Sequence, residues 1–216
     1  MKPLPGTFPL YFVTDHNLNA GRSKLDVIAA ALRGGAKLIQ YRDKVLGAAE
    51  FESEAREALA LCRANPTGRA TLIINDHVEL AARIGADGVH LGQDDMSPTE
   101  ARRILGPDAL IGLSTHDEAE VLAAQSLPVT SINIGPMFPT NTKDHLHALG
   151  LEAVLHLSRL TRHPWTTMGG IKREHLPGLF QSGVRTVSMV TEISLAEDVE
   201  QRTRELLGDI GEAMNI

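Results

Sequence analysis

The chain switches between two hydrophobic periods from one end to the other. Short β-rich apolar runs stand at Leu10–Val13, Leu38–Tyr41, Leu72–Ile74, Gly88–Leu91, Leu110–Gly112, Ser131–Ile134, Thr166–Met168 and Thr186–Met189. Between and after them, apolar residues recur at the three- and four-residue spacing of a helix face. These stretches are Lys24–Arg33, Ala48–Ala64, Val78–Ile84, Pro98–Leu105, Asp117–Gln125, Leu149–Arg162, His175–Gln181 and Asp198–Met214. Strict alternation of strand and helix implies parallel strands joined by helical crossovers. Eight such units in 216 residues fit the compact end of the (β/α)8 TIM barrel, one α/β domain over residues 1–216. The rival is an open doubly wound sheet, which often carries a Gly-rich turn after its first strand. Here the first strand leads into Thr14, Asp15, His16 and Asn17.

Local signals agree. Ser97, Pro98 and Glu100 read as a helix start. Gly34–Gly35–Ala36, Gly85–Ala86–Asp87 and Gly183–Val184 each separate a helix from the next strand, as helix-ending glycine does. The connection from Gly135 to Ala148 is about twice the ordinary length for such units and has no apolar periodicity. It is expected to be a mobile lid.

Composition removes other classes. Apolar residues at 43% and charged residues at 22% exclude a disordered chain. A single cysteine, Cys62, excludes a disulfide scaffold and fits a reducing compartment. With 21 basic against 27 acidic residues and no basic run, nucleic acid is not an expected partner. The longest uncharged run, Val121–Thr142, is broken by Pro128, Pro136 and Pro139, so no membrane partner is expected either. The N-terminus lacks a secretory pattern, and the expected location is cytoplasmic. A homo-oligomer is left open.

In a barrel the C-terminal ends of the strands line the active site. After the second strand, Gln40, Arg42 and Lys44 alternate along one face and suit an anion, or simply form a solvated strand end. After the third and fourth come Asn75, Asp76, Gln93, Asp94 and Asp95. Asp76 and Asp95 suit Mg²⁺, although Asp76 equally suits a helix cap, as does Asp94. The fifth strand ends at Ser114, and the sixth leads to Thr140, Thr142 and Lys143. Gly169–Gly170 is expected to open the seventh helix, and the eighth strand runs into Val190–Thr191. The loops after strands seven and eight commonly bind phosphate through backbone N–H groups. Two phosphate-type sites are therefore expected: one cationic and metal-assisted, the other a neutral backbone cradle.

The segments YFVTD (11–15), GGAKLIQYRDK (34–44), LIINDHVELA (72–81), GADGVHLGQDD (85–95), GPMFPTNTK (135–143) and MGGI (168–171) resemble, in order, the thiamine-phosphate synthase family, also called thiamine-phosphate pyrophosphorylase. The resemblance implies a transferase. It would join 4-amino-2-methyl-5-pyrimidinylmethyl diphosphate to a thiazole phosphate, through an ionised pyrimidine-methyl cation. It implies that Gln40, Arg42, Lys44, Asn75, Ser114 and Lys143 contact the pyrimidine diphosphate. Arg42, Lys44, Ser114 and Lys143 would carry the chemistry, and Asp76 and Asp95 would hold the Mg²⁺ cofactor. Thr140, Thr142, Gly170, Val190 and Thr191 would bind the thiazole phosphate. The sequence departs from the family at His77 and at Val190–Thr191–Glu192. Pointed inward, Glu192 would oppose phosphate binding; pointed outward, it would not.

Three alternatives are weighed. A related thiazole tautomerase shares the barrel but often lacks the diphosphate and metal set. A non-catalytic binder of thiamine precursors would keep the same residues. A metal hydrolase built on Asp144, His145 and His147 would have its ligands on a loop rather than on strand ends. Cys62, His90 and Trp165 read as packing residues.

Overall fold

The computed structural model describes residues 8–140 and 147–215. Eight parallel strands, β1 (Leu10–Val13), β2 (Leu38–Tyr41), β3 (Thr71–Asn75), β4 (Gly88–Leu91), β5 (Leu110–Thr115), β6 (Ser131–Ile134), β7 (Trp165–Met168) and β8 (Val187–Met189), pair in sequence order. Strand β8 pairs back onto β1, which closes the barrel. Around it run α1 (Lys24–Arg33), α2 (Ala48–Arg63), α3 (Val78–Ile84), α4 (Pro98–Leu105), α5 (Glu118–Ala124), α6 (Gly150–Ser158), α7 (Leu176–Gln181), α8 (Thr191–Ser194) and α9 (Val199–Met214). This is the expected (β/α)8 barrel.

Three details differ from the sequence reading. A single-turn helix, α8, follows β8 where a strand end was expected. A 3-10 turn, Arg173–His175, separates the Gly169–Gly170 turn from α7, so those glycines do not open that helix. Helix α6 stops at Ser158 rather than Arg162. The chain leaves the helix in a turn at Arg159 and Leu160, and Pro164 disfavours helix at His163. The freed Arg162 N–H donates instead to Gln125 Oε1 at 2.9 Å.

The two faces of the strands carry different cores. Outward residues such as Phe12, Ile39, Ile74, Leu91, Ile111 and Ile134 are buried against the helices. Each such side chain contributes about 1.5–3 kcal/mol on burial. Inward residues of β1–β3 and β5 (Tyr11, Val13, Leu38, Ile73 and Leu110) form a smaller apolar cluster inside the barrel. Much of the rest of the interior is polar. His90 Nε2 lies 3.0 Å from Ser114 Oγ, and Asn133 Nδ2 donates to Thr166 Oγ1 at 2.7 Å. Gly112 makes room for the His90 ring, because a Cβ there would sit 2.5 Å from His90 Nδ1. Cys62 is buried in α2, and its thiol is pushed up to about 12, chiefly by burial.

One buried ionic cluster ties α1, the β2 end and α2 together. Lys24 Nζ lies 2.9 Å from Asp43 Oδ2 and 3.0 Å from Glu54 Oε2. The Tyr41 hydroxyl donates to Glu54 at 2.7 Å. Asp43 Oδ1 accepts the N–H groups of Val45 and Leu46 at 2.7 and 2.8 Å. Burial alone would raise the Asp43 carboxyl, but the Leu46 N–H, Lys24 and the Val45 N–H outweigh it and hold it below the usual carboxylate range. Burial likewise pulls Lys24 down, and its bonds to Asp43 and Glu54 more than offset this, so it titrates above an ordinary lysine.

Removing Asp43 leaves a buried ammonium with one acid and two loop N–H groups without their acceptor. Asp43→Ala should lower the unfolding free energy at pH 7 by about 3 kcal/mol, the scale for breaking a buried pair, read from urea denaturation. Because the folded carboxyl titrates low, its contribution is present above about pH 4 and is lost below it. The gap between wild type and variant should therefore narrow as the pH falls through that range.

Candidate active site

The C-terminal ends of the strands open on a cavity of about 390 Å³, within the size range of small-ligand sites. Its wall draws Val13 and Arg42 from β1 and β2, Ser114 and Asn133 from β5 and β6, and Gly169, Gly170, Lys172, Val190 and Thr191 from beyond β7 and β8. Pro136, Pro139 and Thr140 from the β6–α6 connection complete it.

Arg42 is fixed from below and from the side. The Thr14 hydroxyl accepts the Arg42 N–H at 2.8 Å and donates to its carbonyl at 2.9 Å. The guanidinium Nη1 donates to Asp15 Oδ2 at 2.6 Å, and that carboxylate is buried. Gln40, one turn of the pleat lower, is buried inside the barrel and donates to the Tyr11 hydroxyl at 2.9 Å. Burial raises the Tyr11 phenol well above its ordinary value, so it stays neutral.

Lys44, Asp76 and Asp95 gather at the ends of β2, β3 and β4, beyond the wall of the main cavity. Lys44 Nζ pairs with Asp76 Oδ2. Asp76 sits at φ 60°, a left-handed conformation uncommon outside glycine and concentrated at functional sites. Its carboxyl also meets that of Asp95. Burial, reinforced by Asp95 and opposed by Lys44, raises Asp76 above the ordinary carboxylate range. Asp95 Oδ2 is oriented by the Gly92 N–H at 2.6 Å. Neither Asp76 nor Asp94 caps a helix. Helix α3 starts after His77 with no side-chain cap, and Ser97 caps α4. Asn75 is buried at the β3 end, in register with His90.

Two oxygen donors beside a lysine make a sparse site. Among the described residues, no group of three or more His, Cys, Asp or Glu side chains gathers as a metal cage. Mg²⁺ favours this kind of donor set, because it keeps several waters and shares substrate phosphate oxygens.

On the far side, the β6–α6 connection is fastened over its first residues. Met137 N–H donates to Met168 O at 2.7 Å, and Phe138 N–H to Gly169 O at 3.0 Å. Gly170 is required there. It adopts φ 61°, and a Cβ would lie 2.5 Å from Pro139 O. The connection expected to be a lid is therefore fastened to the β7 end as far as Phe138. Thr142, Lys143, Asp144 and His145 lie outside the described residues.

Glu192 is turned away from the cavity. Its Oε1 lies 2.6 Å from Arg202 Nη1. The C-terminal end of the same helix, α8, is held by Arg22, which donates to the carbonyls of Ser194 and Ala196 at 2.9 and 2.7 Å. The expected neutral cradle is not neutral. Lys172 lines it, with Nζ 3.2 Å from Thr191 Oγ1.

Sequence reasoning missed Asp15, His116 and Lys172. Asp15 lies two residues past the first strand, and His116 follows the fifth strand, lining the cavity with Nδ1 2.9 Å from Glu120 Oε2. The strand-end rule applied to every strand would have named both. Lys172 carried no such signal, since it lies past the glycine turn.

The comparisons with known proteins follow this geometry. The family model for thiamine monophosphate synthase matches residues 10–193. A thiamine-phosphate synthase from Caldicellulosiruptor saccharolyticus is 38% identical over 93% of this chain and 90% of its own. Another from Azorhizobium caulinodans is 40% identical over 94% of this chain and 95% of its own. The solved thiamine phosphate pyrophosphorylase from Pyrococcus furiosus superposes with a TM-score of 0.85 at 28% identity, covering 96% of this chain and 97% of that one. The chain belongs to the thiamine monophosphate synthase family.

Proposed function

We propose that this chain is a thiamine-phosphate synthase. It joins 4-amino-2-methyl-5-pyrimidinylmethyl diphosphate to a thiazole phosphate and releases pyrophosphate. The observation that carries this reading is the placement of two anion-suited clusters on one barrel end. Arg42, Lys44, Asp76 and Asp95 stand on one side, and the Gly169–Gly170 and Val190–Thr191 segments on the other. The tautomerase and the non-catalytic binder are less favoured, since the relatives described above are all synthases.

In the proposed reaction the methylene C–O bond breaks and its electron pair leaves with pyrophosphate. The resulting pyrimidine-methyl cation is attacked by the lone pair of the thiazole ring nitrogen, which forms the C–N bond of the product. The protein supplies charge stabilisation and alignment rather than a covalent intermediate. Arg42 gives Asp15 one of its five N–H donors and keeps others for the diphosphate. Lys44 adds a second cation. Asp76 and Asp95 fit Mg²⁺, which when bound would neutralise diphosphate charge. By family membership, Lys143 would add a further cation, Gln40, Asn75 and Ser114 would place the pyrimidine substrate, and Thr140 and Thr142 would face the thiazole phosphate. Proline, methionine and aliphatic side chains on the cavity wall, among them Val13, Pro136, Met168 and Ile171, would help keep water from the cation.

The reading is tested by incubating the purified protein with both substrates and Mg²⁺. Thiamine phosphate and pyrophosphate should accumulate in equal amounts. EDTA should abolish the reaction, and Asp76→Ala should depress it severely even at raised Mg²⁺. Full turnover in EDTA would remove the metal from the proposal.

Arg42 and Lys44 generate a separate expectation. Alanine at either position should cost about tenfold to a hundredfold in kcat/KM for the diphosphate, the worth of a charge-assisted hydrogen bond. The KM for the thiazole phosphate should barely move. Loss confined to thiazole affinity would show that the two anion sites are assigned the wrong way round.

A further inference from the structure

Lys172 sits two residues past the Gly169–Gly170 turn, on a backbone that is clamped in place. Its N–H donates to His175 Nδ1 at 3.0 Å, and its carbonyl accepts the His175 N–H at 3.0 Å. The His175 ring in turn packs on Phe138, with ring centroids 4.1 Å apart. The side chain thus projects from a fixed point that touches both the β7 turn and the β6–α6 connection.

Its ammonium is held at the cavity without being used up. Nζ lies 3.2 Å from Thr191 Oγ1 and 3.8 Å from Glu192 Oε2. Glu192 makes its shorter contact, 2.6 Å, with Arg202. Arg202 thereby draws the acid back, and the Lys172 side chain stays nearly half exposed at the cavity wall. Arg42, the other lysine or arginine on that wall among the described residues, lies toward the β1–β2 side and is engaged by Asp15. A lysine has three donors, and one bond to a hydroxyl leaves two for a ligand.

We infer that Lys172, together with the Thr191 hydroxyl, is a specificity-determining residue that binds the phosphate monoester of the nucleophilic substrate. This deepens the synthase reading and rests on it. The second anion site is then a charged one. It would favour a phosphorylated thiazole over the free thiazole alcohol through the Lys172 charge, with Glu192 and Arg202 keeping that charge aimed at the cavity.

The test compares wild type, Lys172→Met and Lys172→Arg in steady-state turnover, with thiazole phosphate and with unphosphorylated thiazole alcohol. Lys172→Met should raise KM for thiazole phosphate at least about tenfold. The KM for the pyrimidine diphosphate and the rate with the alcohol should stay as in wild type, and arginine should restore most of the loss. Equal losses with phosphate and alcohol, or an unchanged KM for thiazole phosphate, would overturn the inference while leaving the synthase reading intact. A parallel calorimetric titration with thiazole phosphate separates the two claims. If wild type forms no product yet binds thiazole phosphate about tenfold more tightly than Lys172→Met, the synthase reading fails and the Lys172 assignment stands. Equal affinities, or no binding to wild type, would overturn the Lys172 assignment.

Discussion

The Lys24 ammonium, buried between Asp43 and Glu54, is the contact on which the cationic side of the site depends. It comes from the first turn of α1, and its acids come from the β2 end and from α2. An ammonium in that position is costly unless its partners are correctly placed, so the three elements are locked to one arrangement. Asp43 lies between Arg42 and Lys44 in sequence, and it also closes the turn through the N–H groups of Val45 and Leu46. The residue that anchors the segment points into the protein, and its two neighbours are left to point at the site. A strand end bearing two cations would otherwise be mobile and self-repelling.

The barrel interior prepares the same division of labour. The apolar cluster of β1–β3 includes Leu110 at the start of β5, whereas His90, Ser114, Asn133, Thr166 and Ser188 line the interior on β4–β8. The polar half is internally satisfied, by His90–Ser114 on one side and by Asn133 with Thr166 and Ser188 on the other. Ser114 and Asn133 reach the cavity floor already oriented by partners below them. Buried polar groups fixed in this way are preorganised, and they add little reorganisation cost when a ligand arrives.

The fold was legible because parallel strands and crossover helices write two distinct periods into a sequence. All eight strand runs were found, most to within a residue, since β-branched runs such as TLIIN and SINI stand against helical spacing. Helix α8 was not legible. Four residues are too few for a period, and the turn is held by Arg22, remote in sequence, on the carbonyls of Ser194 and Ala196. The site residues on strand ends were readable from position alone. Asp15 was overlooked although it obeys the same rule. Lys172 was unreadable for a physical reason: its relevance comes from Thr191 and Glu192, elements brought near only by barrel closure.

Among the described residues, the cations at this barrel end share one arrangement: each is held by a partner before any ligand is present. Arg42 rests on Asp15, Lys44 on Asp76, and Lys172 on Thr191 with Glu192 nearby. Undirected lysine and arginine side chains would bind anions generally and would lose side-chain entropy on each encounter. Tethered ones present a defined donor pattern, and part of the ordering cost is met during folding. The tethers also differ in strength. A buried carboxylate at 2.6 Å holds Arg42 firmly, while a hydroxyl at 3.2 Å holds Lys172 lightly. A firm tether suits a group that must meet charge developing on a departing diphosphate at a fixed point. A light one suits a group that only recognises a phosphate remote from the bond being made. The electrostatics of the two sides thus follow from what each proposed substrate has to do there.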